Sequence, residues 1–397
     1  MASESQIPTA SAKLSRRFAV RLALFYAALF ALFGVQLPFL PVWLKATGID
    51  AAWIGVISAV PAVTRFTVLP VITGLAERHA AVRGAMIATC IVTTIGFAVM
   101  GTQHWPLAVF LAYALTAVAW TPTVPLTDAY ALRGVVQYGI DYGPVRLWGS
   151  AAFIVGALAC GWLADQIAAT HLIWIITAVA ALGALVSLGL QPLDARTTKT
   201  AVASGATALL RDRTFVVIIT TSALIQGSHS ALYVFGSITW QHAGLGGLTI
   251  AVLWVLGVIV EIGIFALSPR FTWQPWTLVV IGGIGAVLRW LITAQEPPVA
   301  VLAIVQLAHG VSFALTQLGT MGLMIRHVPM PAVTRAQGYL AACSGIVAST
   351  ASIVSGLIYA RYGEGVYYAM AAMAFLGAAI MLVASRYQPP AHEAESG

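Results

Sequence analysis

The sequence predicts an all-α membrane protein with twelve membrane-spanning helices. Hydrophobic residues make up 60% of the 397 residues, charged residues only 8%, and the mean hydropathy is +0.90. A soluble domain carries about 25% charged residues, so this composition is typical of an integral membrane protein. Apolar stretches of about 20 residues are long enough to cross the hydrocarbon core of a bilayer as helices. Almost no chain is left over for a soluble domain.

The predicted spans follow one another along the whole chain. Their approximate limits are 18–44, 51–76, 84–103, 107–132, 142–164, 170–190, 214–240, 247–269, 275–295, 298–325, 332–360 and 365–385. A transmembrane β-barrel is disfavoured because its strands alternate apolar and polar residues. In residues 107–119 the only polar side chains are Tyr113 and Thr116, so alternation is absent. Pro122 and Pro125 are expected to bend or interrupt the fourth span.

The chain is expected to divide into two six-helix halves. The longest polar connection predicts a cytoplasmic linker at 191–213, between halves at 18–190 and 214–386, with tails at 1–17 and 387–397. Short repeats at an offset of about half the chain support this division. One example is Pro106-Leu107-Ala108-Val109, repeated as Pro298-Val299-Ala300-Val301.

The positions of Lys and Arg predict that both termini are cytoplasmic. This topology leaves only Lys45 and Arg361 outside and places fifteen cations inside. The inside group comprises Lys13, Arg16, Arg17, Arg21, Arg78, Arg83, Arg133, Arg196, Lys199, Arg211, Arg213, Arg270, Arg326, Arg335 and Arg386. Such asymmetry obeys the positive-inside rule. The net charge of +7 therefore reflects topology in a bacterial-type inner membrane and contact with lipid headgroups, with no need for a nucleic-acid partner.

Several ionisable residues lie within the apolar spans. They are Arg65, Asp128, Arg146, Glu261 and Arg289, with His229 and His309 beside them. Charge inside a bilayer is costly, so such residues usually face a bundle interior and mark the path of a solute or proton. Purely structural roles are the alternative, since arginines can anchor helix ends and histidines can pack as hydrogen-bonded residues. The pattern favours a protein that moves something across a membrane.

Four runs of sequence resemble the phenylpropionate permease family of the major facilitator superfamily. They are Phe33-Gly34-Val35-Gln36-Leu37-Pro38-Phe39-Leu40-Pro41-Val42-Trp43-Leu44, Tyr142-Gly143-Pro144-Val145-Arg146-Leu147-Trp148-Gly149-Ser150, Ser228-His229-Ser230-Ala231-Leu232-Tyr233 and Leu288-Arg289-Trp290. That family is similar in turn to lactose permease and other sugar–proton symporters. The resemblance implies the major facilitator fold and transport by alternating access.

The resemblance also implies roles for the ionisable residues. The interval from Asp128 to Arg146 is similar to that between the acid and the arginine that bind sugar in the symporters. These two residues, with Arg65 and His229, are expected to bind the solute. The expected proton-coupling residues are Glu261, Arg289 and His309.

Two departures from the family patterns affect this transfer of roles. Lactose permease has a glutamate one turn after its tenth-helix histidine, whereas this chain has Ser312. Its proton site therefore cannot simply be transferred. The superfamily loop signature corresponds here to Gly74, Glu77 and Arg83, with glutamate in place of the usual aspartate. The negative charge is kept, so these residues are expected to retain a gating role.

The function expected is proton-coupled import of a small polar organic solute such as an aromatic acid, a sugar or a nucleoside. A passive facilitator and a proton-coupled efflux carrier are alternatives. Efflux is disfavoured because the Gly143-Pro144 pair lies at the start of the fifth span, not within it. A polytopic enzyme or receptor is remote, since Cys90, Cys160 and Cys343 have no ligand spacing. No metal or cofactor is expected, and a monomer suffices for this mechanism.

Reporter fusions test the predicted topology. Fusions after Lys199 and after Arg386 should be cytoplasmic, and a fusion after Asp50 should be periplasmic, because the basic residues cluster on one side. The measurement is the activity ratio of a reporter active only outside to one active only inside. A periplasmic C-terminus would contradict the count of twelve spans.

Overall fold

The computed structural model describes residues 10–79, 81–193, 208–329 and 332–386. Residues 1–9 and 387–397 of the predicted tails, and 194–207 of the predicted linker, lie outside this part of the chain. Seventeen α-helices are formed within it: α1 (Ala10–Ala46), α2 (Ala51–Thr67), α3 (Leu69–Arg78), α4 (Val82–Gly101), α5 (Pro106–Trp120), α6 (Thr123–Tyr138), α7 (Tyr142–Ala164), α8 (Leu172–Leu188), α9 (Ala208–Arg211), α10 (Arg213–Gly227), α11 (Ser230–His242), α12 (Gly247–Leu267), α13 (Pro275–Thr293), α14 (Val299–Leu307), α15 (Thr316–His327), α16 (Val333–Tyr362) and α17 (Val366–Ser385). The described residues contain no strand, so the predicted all-α class is confirmed.

The helices account for the twelve predicted spans. Ten stretches of the described residues are long and apolar enough to cross a membrane, and the bent pair α2 and α3 makes an eleventh. One of the ten, Arg335–Ser385, contains two helices, α16 and α17, separated by the turn Gly363–Gly365. Counting these separately gives twelve spans.

Besides the second span, which bends between α2 and α3, three spans are interrupted near residues of the predicted site. The fourth span breaks between α5 and α6 at Thr121 and Pro122, as its prolines predict. The seventh breaks at Ser228 and His229, between α10 and α11. The tenth breaks after α14 and passes through the π-helical turn Val311–Leu315. Such turns are frequent at functional sites because they redirect side chains out of the regular helical register.

Close approach of α1 and α7 organises the first compact unit, whose described residues are 10–49, 67–79, 81–193 and 246–251. A Cβ atom at Gly34 would lie 2.2 Å from the carbonyl oxygen of Phe153. A Cβ atom at Gly156 would lie 2.7 Å from the carbonyl oxygen of Ala31. Glycine lets helix backbones approach closely enough to pack tightly in a membrane. The side chains of α1 and α7 are thereby held in a fixed register.

The described residues of the second compact unit are 50–66, 208–245, 252–329 and 332–386, so α2 packs within it. A Cβ atom at Gly55 would lie 2.7 Å from the carbonyl oxygen of Ser352, on α16. A Cβ atom at Gly345 would lie 2.8 Å from the carbonyl oxygen of Ala62. These contacts hold α2 against α16, although chain order assigns residues 51–76 to the first predicted half. The division into six-helix halves stays a prediction.

Replacing Gly34 by alanine should destabilise the protein. The added methyl group would push α1 away from α7, and overpacking of this kind costs about 1–3 kcal/mol. The measurement is the midpoint of thermal unfolding in detergent. Gly84→Ala is the matched control, since nothing lies within 4 Å of a Cβ atom there. Equal midpoints for the two variants would show that the α1–α7 contact is not tight.

Candidate functional site

Asp128 is held by two tyrosines within the first unit. Its Oδ1 atom accepts hydrogen bonds from the hydroxyls of Tyr26, at 2.6 Å, and Tyr142, at 3.0 Å. Tyr26 lies on α1 and is fully buried, whereas Asp128 on α6 is half-buried. Phenol groups stabilise a carboxylate by hydrogen bonding without neutralising it. We call Tyr26, Phe30, Asp128, Tyr142 and Arg146 the Asp128 cluster.

The guanidinium of Arg146 lies on the aromatic side chains of α1. Its Cζ atom is 3.9 Å from the ring centroid of Phe30 and 5.5 Å from that of Tyr26. A Cβ atom at Gly149 would lie 2.9 Å from Nη1 of Arg146 and 3.0 Å from Cδ2 of Phe30. The absence of a side chain at Gly149 therefore provides the space for this cation–π contact.

The structure brings Asp128 and Arg146 into one cluster without pairing them. Among the described residues, no ion pair within 4.0 Å joins these two side chains. Tyr26 connects them, since its hydroxyl binds Asp128 and its ring lies near Arg146. Within the described part of the chain, the guanidinium N–H groups of Arg146 have no hydrogen-bond acceptor. They can therefore bind an acceptor supplied by a solute.

The second unit contains a buried arginine with acceptors from one neighbouring segment. Arg289 lies on α13 and is only 2% exposed. Its Nε atom donates to the carbonyl oxygen of Val305 at 2.9 Å, and Nη1 donates to Oγ of Ser312 at 2.8 Å. Nη1 also lies 3.3 Å from Nδ1 of His309, and Nη2 lies 3.4 Å from Oε1 of Gln306. All four acceptors belong to the interrupted tenth span.

One glycine at the break in this span and one on α12 let α12 approach His309. A Cβ atom at Gly310 would lie 2.5 Å from Cγ1 of Val260, and one at Gly257 would lie 3.2 Å from Cβ of His309. The approach places Nε2 of His309 3.9 Å from Oε2 of Glu261. The three residues predicted to couple protons therefore form a chain from Arg289 through His309 to Glu261. We call these residues, with His229 and Ser312, the Arg289 cluster.

The hydrogen bonds determine which nitrogen of His309 carries its proton. Arg289 has no acceptor lone pair and can only donate, so Nδ1 of His309 must accept. In the neutral ring the proton then lies on Nε2. This N–H group is the one that is closest to Glu261. The imidazole therefore accepts a hydrogen bond from the guanidinium at Nδ1 and presents its N–H group to the carboxylate at Nε2.

His229 lies in the Arg289 cluster and not in the Asp128 cluster. It is fully buried at the break between α10 and α11. Its Nδ1 atom is 3.1 Å from the carbonyl oxygen of Ile225, which can only accept, so Nδ1 is protonated. Its Nε2 atom is 3.1 Å from Oγ of Ser312. When the ring is neutral this nitrogen is an acceptor, and it shares the Ser312 hydroxyl proton with the carbonyl oxygen of His309, which lies 3.1 Å from Oγ. The predicted contact of His229 with solute stays a prediction.

Arg65 is an exposed cation on α2 in the second unit. It lies within electrostatic range of Tyr233. The Tyr233 ring stacks on His229, at a centroid distance of 6.1 Å, and on Trp254, at 5.9 Å. Tyr233 thus contacts the Arg289 cluster through His229.

The predicted gating residues lie at one end of the first unit. Gly74 and Glu77 belong to α3, and Arg83 lies in the first turn of α4. Arg83 donates from Nε to the carbonyl oxygen of Leu190 at 2.7 Å, just beyond the end of α8. A cation at this position also favours the negative end of the helix dipole. The contact attaches the start of α4 to the end of α8, whereas a gating role remains a prediction.

Sequence reasoning missed several side chains that complete the two clusters. Tyr26 and Phe30 lie one helical turn apart on α1, but aromatic residues are too common in apolar spans for this spacing to stand out. Tyr142 lies within the family-like motif, four residues before Arg146, but no sequence pattern assigns it a role. Gln306 is three residues before His309 and shares its helix face. The signal available in the sequence was an amide three residues before a histidine within an otherwise apolar span.

Comparison with known proteins identifies the family. The profile of the MFS_1 like family matches residues 19–370. The probable 3-phenylpropionic acid transporter of Escherichia coli (strain K12) is 30% identical over 364 residues, covering 89% of this chain and 94% of that protein. Maltose permease of Geobacillus stearothermophilus is 26% identical over 380 residues, covering 93% of this chain and 95% of that protein.

Solved structures show the same fold. A crystal structure of the nucleoside transporter NupG matches with a TM-score of 0.82 and 18% identity, over 94% of this chain and 100% of that one. A bacterial homologue of the human lysosomal transporter Spinster matches with a TM-score of 0.70 and 13% identity, over 95% and 99% of the two chains. These likenesses confirm the predicted major facilitator fold. The chain belongs to the MFS_1 like family, and it is a multi-pass membrane transporter of the major facilitator superfamily, not an enzyme.

Proposed function

We propose that the protein imports a small organic acid together with a proton, by alternating access. The observation that carries this proposal is the chain of contacts from Arg289 through His309 to Glu261. These side chains lie in three different spans that are otherwise apolar, where isolated charge is costly. A carboxylate next to a neutral imidazole and a fixed cation can exist in two protonation states within the membrane. Coupling of transport to a proton gradient requires a group that can bind and release a proton within the membrane.

Movement of His309 relative to Glu261 would couple protonation to conformation. With the imidazole N–H group close, Glu261 is stabilised as a carboxylate. With the imidazole further away, the low dielectric of the span favours the protonated acid. The break and π-helical turn of the tenth span provide a place where the backbone around His309 can change. Proton binding and the change of conformation would then depend on each other.

The Asp128 cluster supports an acid as the solute. Arg146 combines a guanidinium that has free donors with a contact to the Phe30 ring. A carboxylate is the group that a guanidinium binds most strongly, through two parallel hydrogen bonds. An aromatic ring on the same solute could stack on neighbouring aromatic side chains. The relative named for 3-phenylpropionic acid would carry a solute with both groups.

A sugar is the second candidate for the solute. Asp128 can accept hydrogen bonds from solute hydroxyls, and maltose permease is among the relatives. A sugar carries no charge, so its affinity would depend on Asp128 more than on Arg146. A passive facilitator and a proton-coupled exporter use the same fold, and both would fail to accumulate solute in response to an inward proton gradient.

Substitution of Arg146 and Asp128 tests the solute site. Arg146→Ala should weaken binding of 3-phenylpropionate at least about tenfold, because a hydrogen bond to a charged group contributes about 1.5–3 kcal/mol. Arg146→Lys should recover only part of the affinity, since an ammonium cannot form the two parallel bonds. Asp128→Ala should weaken binding of a disaccharide more than binding of the acid. Affinity is measured by calorimetry on purified protein with a panel of aromatic acids, sugars and nucleosides.

The matched control is Arg133→Ala, which removes a cation from α6 outside the cluster and should leave affinity unchanged. Each variant must keep the thermal unfolding midpoint of the original protein. Near-normal affinity in both the Arg146→Ala and Asp128→Ala proteins would indicate that these residues have a structural role and do not bind the solute.

Glu261→Gln tests the coupling. Glutamine resembles the protonated acid, so solute binding and exchange across proteoliposome membranes should persist. Return of the empty, deprotonated carrier should fail. Uphill accumulation under an imposed proton gradient should therefore vanish while exchange continues. Radiolabelled solute is measured in both assays.

Glu364→Gln is the control for this substitution, since Glu364 lies in the turn between α16 and α17. It should accumulate solute normally. If the Glu261→Gln protein also accumulates solute with the original proton stoichiometry, Glu261 is not the proton site, and Asp128 becomes the next carboxylate to test.

A further inference from the structure

An apolar groove lies between α10 and α17 in the second unit. The two helices touch at Gly377, where a Cβ atom would lie 2.8 Å from Cγ1 of Ile225 and 3.2 Å from the carbonyl oxygen of Thr221. From this contact, a groove of about 700 Å³ extends to the end where α10 begins and α17 finishes. Its lining is nearly all aliphatic, with Arg213 and Thr214 at the end of α10.

The mouth of this groove carries positive charge. Arg213 lines it and is exposed. Arg211 precedes Arg213 by two residues, Arg386 follows the lining residue Ala384 by two, and both of these arginines are exposed. An apolar cavity that ends in cations matches a molecule with a hydrocarbon chain and an anionic head.

The acidic residue between these arginines carries one negative charge, so it offsets only part of the positive charge of the three arginines. The carboxylate of Asp212 accepts hydrogen bonds from the backbone N–H groups of Thr214, at 2.9 Å, and Phe215, at 3.4 Å. Its other oxygen is hydrogen-bonded to Nε2 of His327. Partial burial acts to raise the pKa of Asp212, but these bonds outweigh that effect, and its pKa lies below the ordinary value. The carboxylate is thus engaged as the N-cap of α10.

We propose that the groove binds an anionic phospholipid, with one acyl chain between α10 and α17 and the phosphate on Arg213. The helices that form it belong to membrane spans, so hydrocarbon chains are the molecules available at its aliphatic walls. Basic pockets between transmembrane helices bind anionic headgroups, and each basic residue contributes about 1 kcal/mol. The site is independent of the solute and of proton coupling.

Native mass spectrometry of the purified protein tests this site. The protein is equilibrated with phosphatidylglycerol and phosphatidylcholine that carry the same acyl chains, and the bound amounts are compared. The unaltered protein should retain phosphatidylglycerol in preference. Arg213→Gln should lower that preference roughly fivefold, which corresponds to the loss of about 1 kcal/mol. Ala379→Trp, which fills the groove without changing charge, should lower the binding of both lipids.

Arg78→Gln is the matched control, because Arg78 is an exposed arginine at the end of α3, in the first unit. It should leave the lipid preference unchanged. An equal effect of Arg78→Gln would indicate general attraction to surface charge and overturn the proposal. So would an unchanged preference in the Arg213→Gln protein, which keeps the groove intact.

Other occupants give different results in the same experiment. Displacement of the lipid by excess soluble glycerol phosphate would show a site for the free anion, not for the lipid. A dimer that is lost in the Ala379→Trp protein would show that a second copy of the chain covers the groove. If Ala379→Trp lowers the unfolding midpoint, Ala384→Leu replaces it as a smaller filling substitution. Either alternative occupant would overturn the proposal.

Discussion

The buried guanidinium of Arg289 constrains the structure of the second unit more than any other group. A charge that is 2% exposed within an apolar span must find acceptors in the protein, since no water is available to solvate it. Carbonyl groups inside a regular helix are already bonded, whereas those of its last turn have no partner within the helix. The tenth span is interrupted where Arg289 meets it, and its backbone and side chains supply the acceptors. The position of His309 follows from this requirement.

In both clusters the charged side chains are contacted by neutral side chains or backbone groups. Asp128 is bound by phenols and Glu261 lies beside an imidazole, while Arg146 lies on an aromatic ring and Arg289 on hydroxyl and carbonyl groups. A direct pair of guanidinium and carboxylate would be hard to open inside a membrane, since separating it leaves two uncompensated charges. Because neutral groups contact each charged side chain, that side chain can still interact with a solute or a proton. A solute or a proton can then change one member of a cluster without breaking an ion pair.

Most of the fold could be predicted from the sequence, because the bilayer imposes long apolar helices on the chain. The break in the fourth span was also predictable, since proline removes a backbone donor. The breaks at His229 and after Leu307 were not, because the glycines beside them, Gly227 and Gly310, resemble many other glycines in these apolar spans. The packing of α2 on α16 depends on Gly55 and Gly356, and small residues occur throughout this chain. The ionisable residues could be identified because charge inside a membrane is energetically costly. Tyr26 and Phe30 could not be distinguished from the many other aromatic residues.

The contacts within the Arg289 cluster also separate the possible proton carriers. Arginine remains protonated in proteins, so Arg289 can only supply a fixed charge. His309 already accepts a hydrogen bond from Arg289 at Nδ1, so a second proton on this ring would have to displace that bond and face the guanidinium. Glu261 can take a proton while the bonds of Arg289 to Val305, Ser312 and His309 all stay in place. In the proposed mechanism, protonation of Glu261 would therefore leave these bonds of Arg289 intact, and His309 would position the carboxylate.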